Sequence, residues 1–196
     1  MTSKYEKSFV SMFDGLDAMI RATENAHHRK ILLNYRRHGL LEVSQRWEEI
    51  LSPEMTVDNP RYLMNDHRGG ETLNGREAVK NFYVGLISSG AIVMWPTDQF
   101  IAVADWGFAS EATFHHFIPG AILADMGDAI DDVKATYLVK RYYAMIWHHD
   151  VSARLIGEHV YETKEGREVI KVDPEDVISP ARARELLAPL FNTAPV

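Results

Sequence analysis

The order of hydrophobic and polar positions divides the chain into a helical first part and a strand-rich second part. In the N-terminal segment apolar residues recur at helical spacing, at Phe9, Met12, Phe13, Leu16 and Met19/Ile20. The helical period continues over residues 26–51, where Gly39 is expected to divide the segment into two helices. A short strand is then predicted to end at residues 57–60.

A third helix is predicted after Asn74, because Asn74 and Glu77 have the spacing of a capping box, and it continues to about Ile87. Four later segments are rich in β-branched and aromatic residues and predict strands, at residues 92–104, 106–118, 135–149 and 154–162. Ser179 and Pro180 predict the start of a C-terminal helix. The predicted fold class is α+β, a curved mixed or antiparallel sheet wrapped on about three helices.

Composition favours one globular domain with extensions. The chain has 196 residues, 46% of them hydrophobic and 25% charged. We predict an N-terminal arm at 1–25, a main domain at 26–163, and a C-terminal extension with a short helix at 164–196. Helical extensions therefore flank the sheet-containing domain on both sides.

Charge and cysteine content exclude several functions. The net charge is −7 and no run is rich in Lys and Arg, so a nucleic-acid partner is not expected. No cysteine is present for disulfides or thiolate chemistry. No segment approaches the ~20 apolar residues of a membrane span, and the N-terminus does not resemble a signal peptide. We expect a cytoplasmic protein with no membrane partner.

The segment from Tyr35 to Pro60 combines a phenol on a helix with an Asx-Pro corner at Asn59, 24 residues later. This layout resembles the NTF2-like superfamily, the cone fold of ketosteroid isomerases, scytalone dehydratase, limonene epoxide hydrolase and SnoaL-type polyketide cyclases. The resemblance covers roughly residues 26–162. Within it, NGREAVKNFY is similar to the third helix of SnoaL-like members, and LIGEH is similar to their last strand.

The resemblance implies a pocket with specific catalytic groups. The oxyanion-hole tyrosine of ketosteroid isomerases falls on Tyr35, their catalytic aspartate on Asn59, and a second donor near Tyr143. Because the amide of Asn59 cannot accept a proton, isomerisation by the usual base is not expected. A packing role for Tyr35 and a turn role for Asn59 are the structural alternatives.

Two histidine pairs, His115-His116 and His148-His149, lie on predicted strands. Successive strand residues face opposite sides, so at most one of each pair enters the cone. We take His115 as a candidate general base, and the alternative is a solvated or dimer-facing imidazole. A metal site of His115, His148 and His159 is conceivable, but no HxH or HExxH motif supports it and none is predicted.

Lys140 and Arg141 are also adjacent on a predicted strand, so only one of them can face the cone, and the same holds for Glu158 and His159. A pocket lysine at 140 would act as base or amine nucleophile, whereas Arg141 would bind a carboxylate or phenolate. Glu158 is a candidate acid or base, and His159 a candidate substrate contact. A charge on the outer sheet face is the alternative reading for each.

Aromatic residues are numerous on the predicted sheet, among them Tyr62, Trp95, Tyr143 and Trp147. Most are expected to be ordinary core, but several lining one cone would bind a flat aromatic or terpenoid ligand by stacking. The acidic loop at 119–134 is expected to act as a lid or rim. The loop containing His67 is expected near the pocket mouth.

These observations predict a cofactor-independent enzyme that uses acid–base chemistry on a small hydrophobic aromatic substrate. The long N-terminal arm, the NYRRHGLLEVS helix and the GEHVYE strand resemble the SnoaL-like lyases of lignin-derived aryl diols, which release formaldehyde and water. The alternatives are a hydratase or dehydratase, an isomerase or a cyclase, or a non-catalytic NTF2-like binding module. One exposed sheet face further predicts a homodimer.

Overall fold

A computed structural model describes residues 2–66, 69–193 and 195. Its α-helices are α1 Glu6–Val10, α2 Asp14–Ala22, α3 Ala26–Val43, α4 Trp47–Ile50, α5 Arg76–Ser88, α6 Gly120–Asp125 and α7 Pro180–Leu187. Its strands are β1 Arg61–Asp66, β2 Gly69–Asn74, β3 Met94–Ala104, β4 Gly107–Pro119, β5 Thr136–His149 and β6 Leu155–Lys171. Short 3₁₀ helices cover Pro174–Asp176 and Ala188–Phe191. Among these described helices, none is long and apolar enough to cross a membrane.

The six strands form one mixed sheet in the order β2-β1-β6-β5-β4-β3. The β1–β6 pair is parallel, and the other neighbouring pairs are antiparallel. Helix α3 packs against the sheet, and its apolar residues belong to the same core as those of the sheet and of α5. The predicted fold class, a curved mixed sheet wrapped on helices, is therefore confirmed.

Helix α3 is continuous through Gly39, so the predicted break at this glycine is wrong. A side chain at position 39 would lie 3.1 Å from the ring of Phe13. The glycine therefore gives the aromatic ring of the N-terminal segment room to pack against α3. The helix ends instead near Gln45, whose left-handed φ of 62° redirects the chain into α4.

The segment after α4 also differs from the prediction. Residues 57–60 do not form a strand, and only Thr56 makes an isolated bridge, to Leu155. The chain instead forms the antiparallel pair β1 and β2, which the sequence reading treated as a loop. His67, predicted near the pocket mouth, lies outside the described residues.

Helix α5 begins at the predicted place but without the predicted capping box. The residue before the helix is Gly75, with a φ of 82°, and no side chain caps the helix end. Ser179 behaves as predicted, because its side chain accepts a hydrogen bond from the backbone N–H of Arg182. The residue spacing therefore predicted the start of both helices, although the N-terminal cap of α5 differs from the predicted one.

Gly157 allows β1 to approach β6. A Cβ at this position would collide with the backbone carbonyl of Arg61 in the neighbouring strand. The parallel pairing continues from there, with Leu63 opposite His159. The strand that carries the LIGEH motif therefore needs a glycine for steric reasons, and a larger residue would separate the two strands.

Both chain extensions pack against the main domain. The N-terminal segment is anchored to α3 by an ion pair between Arg36 Nε and Asp17 Oδ1 at 2.6 Å, with both side chains largely buried. Arg182 of α7 binds Glu6 of α1 with an N–O distance of 3.0 Å. Strand β6 continues to Lys171, so the predicted boundary at residue 163 falls inside a strand.

Candidate functional site

A cavity of about 740 Å³ lies between α3, α5, the N-terminal segment and the inner face of the sheet. This volume is within the usual range for small-molecule sites. Apolar side chains form most of its wall, including Phe13, Met64, Phe82, Met94, Phe114 and Met145. Methionines adapt readily to ligand shape, so the wall suits a hydrophobic molecule of some size.

Helix α3 presents one stripe to this cavity. Tyr35, His38, Gly39 and Glu42 all line it, because positions three, four and seven apart share a helix face. This stripe explains why an apolar helix carries a histidine and a glutamate on its packed side. Two of its members, His38 and Glu42, were missed in the sequence reading.

Strand β5 contributes alternate residues to the opposite wall. Arg141, Tyr143, Met145 and Trp147 face the cavity, as expected for the period of two along a strand. Lys140 faces the other way, and its ammonium lies 3.0 Å from a Glu168 carboxylate oxygen. The prediction that Lys140 enters the pocket as base or nucleophile is therefore wrong.

The most distinctive pair in the cavity is Glu42 and Glu158. Glu158, on β6, is only 5% exposed, and the side chain of Glu42 is 14% exposed. Burial raises the pKa of Glu42 from the ordinary 4.5 to about 7. Burial also raises the pKa of Glu158 well above its ordinary value, and the nearby Glu42 charge raises it further. Burial therefore favours the protonated form of both carboxyl groups, and Glu42 changes between its two forms near neutral pH.

His38 lies between Glu42 and two buried phenols. Its Nε2 lies 3.8 Å from a Glu42 carboxylate oxygen and shares a 2.9 Å hydrogen bond with the Tyr83 hydroxyl. The Tyr83 hydroxyl in turn lies 3.2 Å from that of Tyr62. Burial lowers the pKa of His38 to about 3, with a smaller effect of His149, so the imidazole is neutral. The hydrogen-bonded chain thus ends at His38, which packs beside Glu42 without adding a charge.

Tyr35 lies in the cavity wall, as predicted. Its ring packs against Phe108 and Trp147, with ring centroids 4.6 Å and 5.0 Å away. Gln99 Nε2 donates a hydrogen bond to its hydroxyl oxygen at 2.6 Å. Burial raises the pKa of Tyr35, so the phenol keeps its proton. The hydroxyl oxygen therefore has a fixed donor in Gln99, and the tyrosine side chain lines the cavity.

In the other adjacent pairs, the alternation of side chains along the strand again leaves one residue facing the cavity and the other facing away. His116 lines the cavity, whereas His115 stacks on Trp95 outside it and lies 3.0 Å from the Thr97 hydroxyl. Glu158 faces inward, and His159 faces away, with its ring 4.8 Å from that of His148. The predicted pocket positions of His115 and His159 are therefore wrong.

Three further predicted site residues lie outside the cavity lining. Asn59 is exposed, because residues 57–60 follow the protein surface and do not form an inward-facing strand. The prediction that Asn59 shares a chamber with Tyr35 is therefore wrong. Tyr62 is fully buried behind the wall, where its hydroxyl meets Tyr83. Trp95 packs beneath the arm residues Tyr5 and Phe9.

The sequence did contain a signal for His38 and Glu42. Counting helical turns from Tyr35 places both residues on its face. The expected break at Gly39 separates Glu42 from Tyr35, whereas His38 precedes this glycine and shares the helical face of Tyr35 in either case. His116 was missed for another reason: the sequence gives two adjacent histidines, and only the tertiary structure determines which one faces inward.

No set of three or more His, Cys, Asp or Glu side chains among the described residues is arranged to hold a metal ion. The polar groups that do converge in the cavity are proton donors and acceptors of mixed type. Their arrangement is that of an acid–base site with apolar walls.

The Glu42 carboxyl should make stability depend on pH. Because its folded-state pKa of about 7 exceeds the ordinary 4.5, its stabilising contribution is complete below about pH 4.5 and is lost as the pH rises through 7. Glu42→Gln removes this dependence. Between about pH 5 and pH 8, the free energy of unfolding of the wild type should fall relative to the variant by about 2 kcal/mol.

Urea unfolding of both proteins at the two pH values measures this difference. Glu168→Gln is the control, since Glu168 is a half-exposed carboxylate paired with Lys140. A wild-type-minus-variant difference that is the same at both pH values would show that Glu42 is not a buried, proton-binding group.

No family model and no curated protein matches the sequence. Among solved structures, a phenazine biosynthesis-related protein (PhzB2) from Pseudomonas aeruginosa is 10% identical, with a TM-score of 0.47 over 70% of this chain and 81% of that chain. Bal32a, from a soil-derived mobile gene cassette, is 11% identical, with a TM-score of 0.45 over 70% of this chain and 92% of that chain.

The epoxide hydrolase/cyclase-like enzyme SalBIII, which has a role in pyran ring formation in the polyether salinomycin, is 12% identical. Its TM-score is 0.43, and the match covers 81% of this chain and 98% of that chain. At these identities and TM-scores, the three similarities identify neither the family nor the reaction.

Proposed function

We propose that the protein is an enzyme that performs general acid–base chemistry on a small hydrophobic molecule without a cofactor. The observation that carries this proposal is the pair of buried carboxyl groups, Glu42 and Glu158, in one largely apolar cavity. A pair with raised pKa values supplies an acid and a base at the same pH. Neutral pH is close to the point at which Glu42 changes between the two forms.

The specific reaction that we propose is the cleavage of a diaryl 1,3-diol, in which the benzylic carbon carries one ring and a hydroxyl group and the next carbon carries the second ring and a terminal hydroxymethyl group. The Glu42 carboxylate takes the proton of the terminal hydroxyl, and that carbon leaves as formaldehyde. The electrons of the broken carbon–carbon bond form the new double bond, and the benzylic carbon–oxygen bond breaks. Glu158 donates its proton to this oxygen, which leaves as water, and the aryl product is a stilbene.

Three features support this lyase proposal. Two neighbouring carboxyl groups suit two hydroxyl groups in a 1,3 relationship, one of which loses a proton while the other gains one. Tyr35 lines the same cavity, and in this proposal its O–H supports the leaving benzylic oxygen. Glu42 and Glu158 also lie within the NYRRHGLLEVS and GEHVYE segments that carry the resemblance to the aryl-diol lyases.

A hydratase or dehydratase, an isomerase or a cyclase would use the same carboxyl pair on another hydrophobic substrate. A non-catalytic binding module is favoured less by the geometry, because an adaptor would be expected to have a filled cone. The cavity instead has room for a ligand and has polar groups that face it. Measuring the reaction products distinguishes the lyase from these alternatives.

The test is to incubate the purified protein with stereodefined diaryl diols and to measure formaldehyde and stilbene. We expect the two products in equal amounts and unchanged activity in the presence of a chelator. Water loss without formaldehyde would replace the lyase by a dehydratase. Ligand binding without turnover on any diol isomer would favour the binding module, and activity restored by a metal after chelation would refute the cofactor-free proposal.

A further inference from the structure

The cavity has a second polar region, centred on Arg141. This side chain is only 6% exposed, and its Nη1 lies 3.2 Å from the Tyr143 hydroxyl and 3.5 Å from a Glu162 carboxylate oxygen. Its Nε is buried and has no hydrogen-bond partner. A buried, unpaired donor on a cavity-lining guanidinium is costly unless a ligand accepts from it.

Strand β5 provides a measure of the distance between the two polar regions. It pairs with β4 without a break in register, and Trp147 lies opposite Glu158 on β6. Arg141 is six residues before Trp147 on the same face. At ~3.3 Å per residue, the two levels of the sheet are roughly 20 Å apart along the backbone. A ligand that reaches both regions must therefore be elongated.

The charges near Arg141 favour a neutral ligand group over an anion. The fully buried Glu162 carboxylate pairs with the guanidinium and also lies 3.6 Å from Arg167 Nε. Asp66, Glu71 and Asp125 also line the cavity, so its wall is acidic where it is charged. A carboxylate ligand would be repelled by these groups, whereas an uncharged oxygen can accept from Arg141 without this penalty.

His116 adds an acceptor beside this donor. Its Nε2 lies 2.7 Å from the Ala91 carbonyl oxygen and must donate to it, since a carbonyl can only accept. Burial and the neighbouring Arg141 lower the pKa of His116 to about 4, so the ring is neutral. The other nitrogen, Nδ1, is then an acceptor. A donor and an acceptor side by side match a hydroxyl group that accepts one bond and donates another.

We propose that Arg141 and His116 bind the phenolic hydroxyl group on one ring of an elongated, two-ring substrate whose diol, between the rings, reaches Glu42 and Glu158. The oxygen accepts from Arg141, and the hydrogen is donated to His116 Nδ1. The apolar walls between the two polar regions hold the rings. This inference rests on the proposed function for the reacting end, but the phenol site itself concerns binding and not turnover.

The test is a binding series with stilbenes, which are products of the proposed reaction and need no catalysis. Tryptophan fluorescence of the wild type is titrated with stilbene and with its para-dihydroxy, para-dimethoxy and para-carboxy derivatives. The dihydroxy compound should bind at least about tenfold more tightly than unsubstituted stilbene. Equal binding of these two, or tighter binding of the dimethoxy or carboxy compound, would overturn the proposal.

Arg141→Met should reduce the preference for the dihydroxy compound to less than about threefold, and Lys140→Met is the matched control on the opposite sheet face. A preference that survives in Arg141→Met would overturn the role of Arg141. If that variant does not fold, the wild-type series still decides the question. The outcome is separate from that of the diol assay: a phenol preference without formaldehyde release would refute the lyase and keep the phenol site.

Discussion

Glu158→Gln is expected to reduce formaldehyde release from the aryl diol by roughly 10²–10⁴-fold, the usual contribution of a general acid. Glutamine has nearly the same shape but has no acidic proton for the leaving oxygen. Because burial and the nearby Glu42 charge raise the pKa of Glu158 well above its ordinary value, its neutral form is favoured, and the amide is a close structural substitute for that form. The turnover number at saturating diol measures the effect, and circular dichroism checks the fold.

Two companion variants make this result specific. Glu168→Gln changes a half-exposed glutamate outside the cavity lining and should retain wild-type turnover. Glu42→Gln should also be strongly impaired, because it removes the proposed base. If Glu158→Gln turns over the diol at the wild-type rate, proton donation by Glu158 is not part of the reaction.

Gly157→Ala is expected to lower the free energy of unfolding by about 3 kcal/mol or more, at the upper end of the effects of overpacking. The added methyl group would occupy the space of the Arg61 backbone carbonyl. Backbone atoms cannot move aside as a flexible side chain does, so β1 and β6 must separate. Urea unfolding measures the loss, and hydrogen exchange should show weaker protection in β1.

Gly85→Ala is the matched control for this substitution. Gly85 lies in α5, and a Cβ there would meet no other atom within 4 Å. Alanine also favours helices over glycine by about 1 kcal/mol, so this variant should be at least as stable as the wild type. A Gly157→Ala protein as stable as Gly85→Ala would contradict the close approach of the two strands.

Much of the fold was predictable because hydrophobic periodicity reports directly on secondary structure. Strands β4 and β5 each begin one residue after the predicted start, and β4 also ends one residue after its predicted end. Helix α5 ends one residue after the predicted Ile87. The β1–β2 pair was not predicted because its second strand, GGETLN, is short, glycine-rich and mostly exposed. Such a segment lacks the apolar alternation that identifies a strand.

The site was less predictable for two physical reasons. From the sequence alone, either of two adjacent polar residues such as Lys140 and Arg141 could face the cavity, because the choice depends on which side of the sheet the helices pack against. The position of Asn59 was inferred by extending one helix-to-strand pattern, and the chain between α4 and β1 takes another path. Glu158 and Tyr143, by contrast, were among the predicted pocket residues and do line the cavity, although the choice between Glu158 and His159 was left open.

The packing of Phe13 against Gly39 has a consequence for how this architecture diversifies. A segment that precedes the sheet-bearing unit forms part of the chamber, together with Met12. Exchanging this short leading segment would reshape part of the cavity while leaving Glu42 and Glu158 in place. The shape of the chamber is thus encoded partly in a different stretch of the chain from its carboxyl pair, so one is able to evolve with little disturbance of the other.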